Sequence, residues 1–228
     1  MRWRIAAFVI LVPICSMFSR EVEAQVPFSP FSSVGVEASA GTLGIGPEAD
    51  FRLAYLPLGV RLGANFLDFS HHLNSQDARY DGRAHLSNGG VIVDWYPFFY
   101  GFRLSAGVKI NGNDATLNSS PNAAGLITVN NQAYSTAGSS VTGKISFDRY
   151  APYLGIGVGG AILGGLTLAV DAGAMFQGRP STALAASGPI SQAPGFAANL
   201  AAEQQNLENK IRDFMVYPVV QVALGWRF

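Results

Sequence analysis

The chain has 228 residues, enough for one domain with a tag and long loops, and its 15 basic residues balance its 15 acidic ones. Zero net charge implies no polyanionic partner and argues against nucleic-acid binding. Only 13% of residues are charged and 49% are hydrophobic, whereas about a quarter of the residues of an ordinary soluble protein are charged. Yet past the N-terminus no apolar run reaches the roughly 20 residues of a membrane helix. Strands that are apolar on one face only reconcile low charge with the lack of a helical span.

In chain order, Met1, Arg2, Trp3 and Arg4 form a basic start, residues 5–18 are apolar with a break at Pro13, and Val22-Glu23-Ala24 is a small-x-small cleavage site. Residues 1–24 therefore read as a signal peptide, with Gln25 first in the mature chain. Cys15 is the only cysteine. It is preceded by Ile14, where lipid attachment needs a small residue, so it is expected to leave with the signal. No cysteine and no disulfide then remain.

Residues 25–33 are a lead-in containing Pro and Phe. Strict alternation then predicts strands at 34–41, 48–55, 60–66, 84–96 and 102–111, another from about 143, one at 166–177 and a last one at 215–228. In the fourth, Val91, Val93 and Trp95 face one way and Gly90 and Asp94 the other, with Ile92 spoiling the polar set. Between the strands lie a Gly-rich turn at 42–47, turns at 56–59, 97–101 and 159–165, a polar loop at 68–83, a loop at 112–142 without a clear strand, and a link at 178–213. In that link residues 196–213 are rich in helix formers, and Leu200, Leu207 and Ile211 share a helical face, so a helix is expected there.

Eight strands with alternating short and long connections fit a barrel occupying 34–228, with turns on one side of a membrane and loops on the other. The last strand completes the pattern: Val216, Pro218, Val220, Val222, Leu224, Trp226 and Phe228 are all apolar, and the residues between them are mostly small or polar. This closing strand, ending Trp226-Arg227-Phe228, resembles the C-terminal signature of bacterial outer-membrane barrels. Pro152-Tyr153-Leu154-Gly155-Ile156-Gly157 resembles a Pro-Tyr-x-Gly-x-Gly strand frequent among the small eight-stranded members, typified by the outer membrane protein A transmembrane domain. The resemblance implies an all-β, eight-stranded antiparallel transmembrane barrel with long extracellular loops, placed in the outer membrane among lipid and lipopolysaccharide. It implies that the barrel assembly machinery reads Trp226 and Phe228. The barrel is expected without a peptidoglycan-binding domain, so the resemblance does not extend to cell-wall anchoring, and no cofactor is implied.

The expected inward face carries Glu37, Glu48, Asp50, Asp94 and Asp171 against Arg52, Arg61, Arg103, Lys109 and Arg227. An eight-stranded barrel is just wide enough to be filled by side chains, and buried charges must be paired. A salt-bridged lumen is expected, with Asp94 and Arg103 the leading pair because their strands are neighbours across a short turn. The expected role is accordingly non-enzymatic: structural, surface-interacting, or a narrow or gated pore. The alternative is enzymatic. His85-Leu86-Ser87-Asn88 resembles the His-x-Ser-Asn motif of lipid A deacylases, whose His activates the Ser; it sits early in this chain rather than late, and no Glu lies between Glu48 and Glu203 to orient the His. His71 and His72, beside Asp68 and Asp77, are read as polar loop rather than a metal site. The helix either caps a loop or docks on the barrel mouth or a neighbour.

Overall fold

The computed structural model describes residues 31–74, 79–98, 101–121, 125–135 and 138–228. The predicted signal peptide, its cleavage site, Cys15 and Asp77 lie outside the described residues. The elements are β1 (Phe31–Gly41), β2 (Gly44–Leu53), β3 (Leu58–Asn74), β4 (Arg79–Trp95), β5 (Phe102–Asn111), β6 (Asp114–Ser120), β7 (Leu126–Val129), β8 (Gln132–Ser135), β9 (Ser140–Ser146), β10 (Tyr150–Leu163), β11 (Leu166–Phe176), β12 (Ser181–Ser187), a 3-10 turn at Pro189–Gln192, α1 (Phe196–Ile211) and β13 (Val216–Arg227).

β1, β2, β3, β4, β5, β10, β11 and β13 pair antiparallel in that order, and β13 returns to β1. The result is a closed eight-stranded barrel without a free edge. The seam runs to the last residue, where the Phe228 N–H donates to the Val34 carbonyl at 2.8 Å. Alternation dictates the two faces. Val36, Leu62, Val91, Val93, Val108, Leu154, Ile156, Val170, Val222 and Leu224 are all exposed on the outside. Exposed aromatics flank this band, with Trp95, Trp226 and Phe228 at the end with the short turns and Phe66, Tyr150 and Phe176 at the other. A belt of this extent exceeds the few hundred Å² that a water-soluble surface tolerates, and it has the form of a lipid-facing band between aromatic girdles.

The turns at one end are short, as expected. Gly164 and Gly165 both have positive φ, at 50° and 97°, and close the two-residue β10–β11 hairpin. At the other end the structure differs from the sequence reading. β3 and β4 pair through all 17 residues of each strand, so most of the expected loop at 68–83 is hairpin. The expected loop at 112–142 contains β6, β7, β8 and the start of β9, and the link at 178–213 contains β12. Once a strand leaves the membrane neither face need be apolar, so the alternation that reveals it fades while its hydrogen bonds continue. Smaller shifts follow the same elements. The lead-in's last three residues belong to β1, β2 begins at Gly44, β10 begins at Tyr150 and runs on to Leu163, and α1 ends at Ile211 rather than 213.

β4 changes partner on the way up, pairing with β5 over Asn88–Trp95 and with β6 over Arg79–His85. The upper part of the hairpin thereby becomes two strands of a five-stranded sheet, in the order β3, β4, β6, β9, β12. The β7–β8 hairpin and α1 lie on this sheet. Ile127, Val129, Tyr134, Val141, Ile190 and Phe196 form a core there separate from the barrel.

Candidate functional site

The lumen holds the charge network that alternation predicts. Glu37, Glu48, Asp50, Arg61, Asp94, Arg103, Lys109 and Asp171 are all buried; Arg52 and Arg227 are half-buried near the turn end. Arg61 is the hub. Its Nε and Nη2 donate to Asp94 at 2.5 and 3.1 Å, and its Nη1 donates to Glu48 at 3.2 Å and Asp171 at 3.3 Å. Arg103 donates to Asp171 through Nε at 3.0 Å and Nη2 at 2.5 Å. Arg227 holds Asp50 in a forked contact at 3.2 and 3.3 Å.

The expected Asp94–Arg103 pair does not form. Asp94 is opposite Ser105, whose hydroxyl it accepts at 2.5 Å, and Arg103 is opposite Gly157 on the other side. Gly157 is in turn opposite Asp171. A Cβ at Gly157 would collide with both Arg103 and Asp171, so this glycine opens the path by which the guanidinium crosses one strand to reach the next. Two strand spacings are about 9.6 Å, within reach of Arg and Asp side chains leaning toward each other.

The device recurs. Gly35 is opposite Arg227 on one side and Asp50 on the other, and these two pair across it. Gly225 is opposite Glu37 and Thr167, and the Thr167 hydroxyl donates to Glu37 at 3.0 Å across it. Gly46 is opposite Ser39, Asn65 Nδ2 donates to Ser39 Oγ at 2.8 Å, and a Cβ on Gly46 would strike the β3 backbone at the Ala64 carbonyl and Asn65 Cα, so the glycine lets that strand come close enough for the bond. Inward glycines therefore set which charges meet. Lys109 and Arg52 make no carboxylate pair among the described residues: the Lys109 ammonium lies over the Tyr153 ring at 5.3 Å and the Arg52 guanidinium over Tyr96 at 4.4 Å.

Uncharged side chains fill the rest of the lumen. Gln221 Nε2 donates to Asn65 Oδ1 at 3.2 Å, and Asn88 Nδ2 donates to Asn113 Oδ1 at 2.8 Å. Leu43, from the turn between β1 and β2, is fully buried against Ile92, Ala151, Tyr153, Met175 and Val219. Thr42 pins this turn, because its Oγ1 donates to the Pro218 carbonyl at 3.0 Å and its own carbonyl accepts the Tyr217 hydroxyl at 2.6 Å. Ile92, the residue that broke the polar pattern of its strand, belongs to this apolar plug. Leu43 was not recognisable as a lumen residue, since a leucine in a Gly-rich turn carries no facing signal.

His85 and Ser87 fall on the outer face of β4, in register with Asp68 and Phe66 of β3. His85 Nδ1 bonds Asp68 Oδ1 at 2.5 Å. This residue sits above the barrel, in the part of β4 paired with β6, and the carboxylate holds the imidazolium so that its pKa is raised above the usual 6.5. No hydrogen bond joins His85 to Ser87 among the described residues. His72 bonds Asp81 and His71 stacks on Phe69, with centroids 6.2 Å apart, so the two histidines point to different partners.

The sheet above the barrel also contains a cleft of about 500 Å³ beneath β7 and α1, lined mainly by apolar side chains. Nothing in the sequence marked it, because most of its floor belongs to strand extensions beyond the apolar belt, where alternation fades.

No protein-family model matches the chain, and no curated protein matches it. Among solved structures it is similar to Acinetobacter baumannii CarO2, with 20% identity, a TM-score of 0.59, and coverage of 88% of this chain and 100% of that one. It is similar also to Acinetobacter baumannii CarO, with 24% identity, a TM-score of 0.56, and coverage of 85% and 97%. A major outer membrane protein from Thermus thermophilus aligns over 86% of this chain and 99% of that one, at 16% identity and a TM-score of 0.43. At these identities the likeness concerns the fold. The chain has the architecture of the small eight-stranded outer-membrane barrels, enlarged above the membrane by a sheet and a helix.

Proposed function

We propose that this chain is an exported, integral outer-membrane protein whose barrel is a closed anchor for the sheet and helix displayed on the cell surface. Its role is non-enzymatic: structural, or interaction with partners outside the cell, with solute passage only if the lumen rearranges into a narrow, gated pore. The observation that carries this reading is the filled lumen, in which Arg61 binds three carboxylates while Leu43 and its neighbours plug the remaining space. Outer-membrane lipid and lipopolysaccharide surround the belt, and Trp226 and Phe228 serve as the signal for the barrel assembly machinery. Proteoliposome swelling tests it: small sugars and amino acids should enter no faster than into protein-free vesicles, and size-graded entry would overturn it.

One contact favours a second reading, a lipid A-modifying hydrolase. Asp68 supplies a carboxylate that orients His85 through Nδ1, with Ser87 two residues along on the same face. Comparing lipopolysaccharide acylation in cells carrying the wild type and Ser87→Ala decides it, since an unchanged acyl pattern removes the hydrolase.

A further inference from the structure

The cleft beneath α1 is a consequence of which residues form its floor and how its roof is held. On the floor, Gly82 is opposite Leu117, Leu117 is opposite Gly143, and Ala84 is opposite Ala115. Gly82 is not required by its backbone, which has no positive φ, and a Cβ there would meet nothing nearer than the His71 carbonyl at 3.6 Å. A β-branched residue would suit a strand better, so the glycine has no local justification other than the open volume above it.

The roof offers Leu200 and Leu207, seven residues apart and therefore on one helical face, and both are only half-buried. Polar bonds along the flanks hold the roof up. The Asn130 N–H donates to Glu203 Oε2 at 3.2 Å, Thr182 Oγ1 donates to Glu208 Oε1 at 2.9 Å, and Gln204 Nε2 donates to the Thr182 carbonyl at 3.0 Å. Phe196 anchors the start of the helix in the core beside Tyr134, with Leu200 packed against that core, while farther along the helix its apolar stripe faces a floor of small residues across a gap.

At the β3 edge the cleft is bordered by the stacked Phe69 and His71 rings, and Phe69 is 61% exposed. Phe66 of the upper aromatic girdle lies three residues, about 10 Å, below on the opposite, outer face of the same strand, and pairing with β2 ends at Phe66, so the cleft connects to the lipid surface around the bare upper edge of β3.

We propose that this cleft binds a single acyl chain, drawn from the adjoining outer leaflet past Phe69 and His71. A 150 Å³ apolar cavity accepts one benzene ring, so about 500 Å³ accommodates on the order of twenty carbon atoms by the same scale. The chain lies along the Gly82–Gly143 floor and covers the parts of Leu200 and Leu207 left exposed to the cleft. It is held either as a free fatty acid or as one arm of a lipid.

The full chain in phosphatidylcholine nanodiscs should bind cis-parinaric acid saturably, one per protein, above the background of protein-free discs. Gly82→Leu and, from the roof, Leu207→Asn should each weaken binding at least tenfold while heat-modifiable mobility shows the barrel intact. Displacement by palmitate alone assigns the site to a free fatty acid, and displacement by lysophosphatidylcholine as well assigns it to a lipid's acyl arm. The absence of a saturable component, or unchanged affinity in both folded variants, overturns the proposal.

Discussion

Gly157 shows how the partners of Arg103 are chosen. Alternation along β5 and β4 places Arg103 and Asp94 on the inner face, but facing alone does not say which charge meets which. Register does, by setting Ser105 opposite Asp94 and a glycine between Arg103 and Asp171. The identities of the lumen charges were therefore legible in the sequence, and the pairs were not. Inward glycines such as Gly35, Gly157 and Gly225, interspersed among charged positions, were the available signal for bonds that skip a strand. Arg103→Ala should cost about 3 kcal/mol, near the low end for breaking a buried pair, because Asp171 keeps Arg61 at 3.3 Å. In urea unfolding of the protein in lipid vesicles, adding Asp171→Ala should recover part of that loss. Arg103→Ala with Asp94→Ala should be closer to additive, and the reverse ranking would show that Asp94 is the true partner.

Among the elements, α1 was legible because Leu200, Leu207 and Ile211 repeat at helical spacing whatever lies beneath them. The upper sheet was not, since residues such as Asp68, Ser70, His72, Arg83 and His85 have no lipid to face and carry no apolar alternation. Their pairing shows instead in cross-strand contacts, of which Asp68–His85 is testable. The hydrogen bond to Asp68 raises the His85 pKa, so this contact favours the folded sheet below about pH 6.5, the unperturbed value, and the benefit disappears as pH rises through the folded-state pKa. In an NMR titration His85 should titrate above the unperturbed value, and Asp68→Asn should move it back down. A midpoint indifferent to that substitution would mean the pair is not formed in solution. Leu43 belongs to this scale too, because its burial depends on how the β1–β2 turn is pinned to β13 and not on any local pattern.

At the scale of the whole molecule, the strand count, the outer belt and the rhythm of short turns were readable because one constraint, apolar outside and filled inside, acts on every strand. Ala106 lies exposed on the belt between Val93 and Leu154. Ala106→Arg should lower barrel stability in vesicles by about 2–4 kcal/mol, and an unchanged urea midpoint would count against the lipid-facing assignment. Phe228 closes the seam against Val34, so its deletion should leave export intact but reduce heat-modifiable barrel in outer-membrane fractions, and normal assembly would refute the signal.

A closed lumen is what makes the barrel an anchor, and planar-bilayer recording of the purified monomer tests that closure most directly. The wild type should pass no steady current across a wide voltage range, because the Arg61 cluster and the Leu43 plug occupy the path. A large, stable, ungated conductance from the monomer would contradict the closed anchor and make the barrel a diffusion channel.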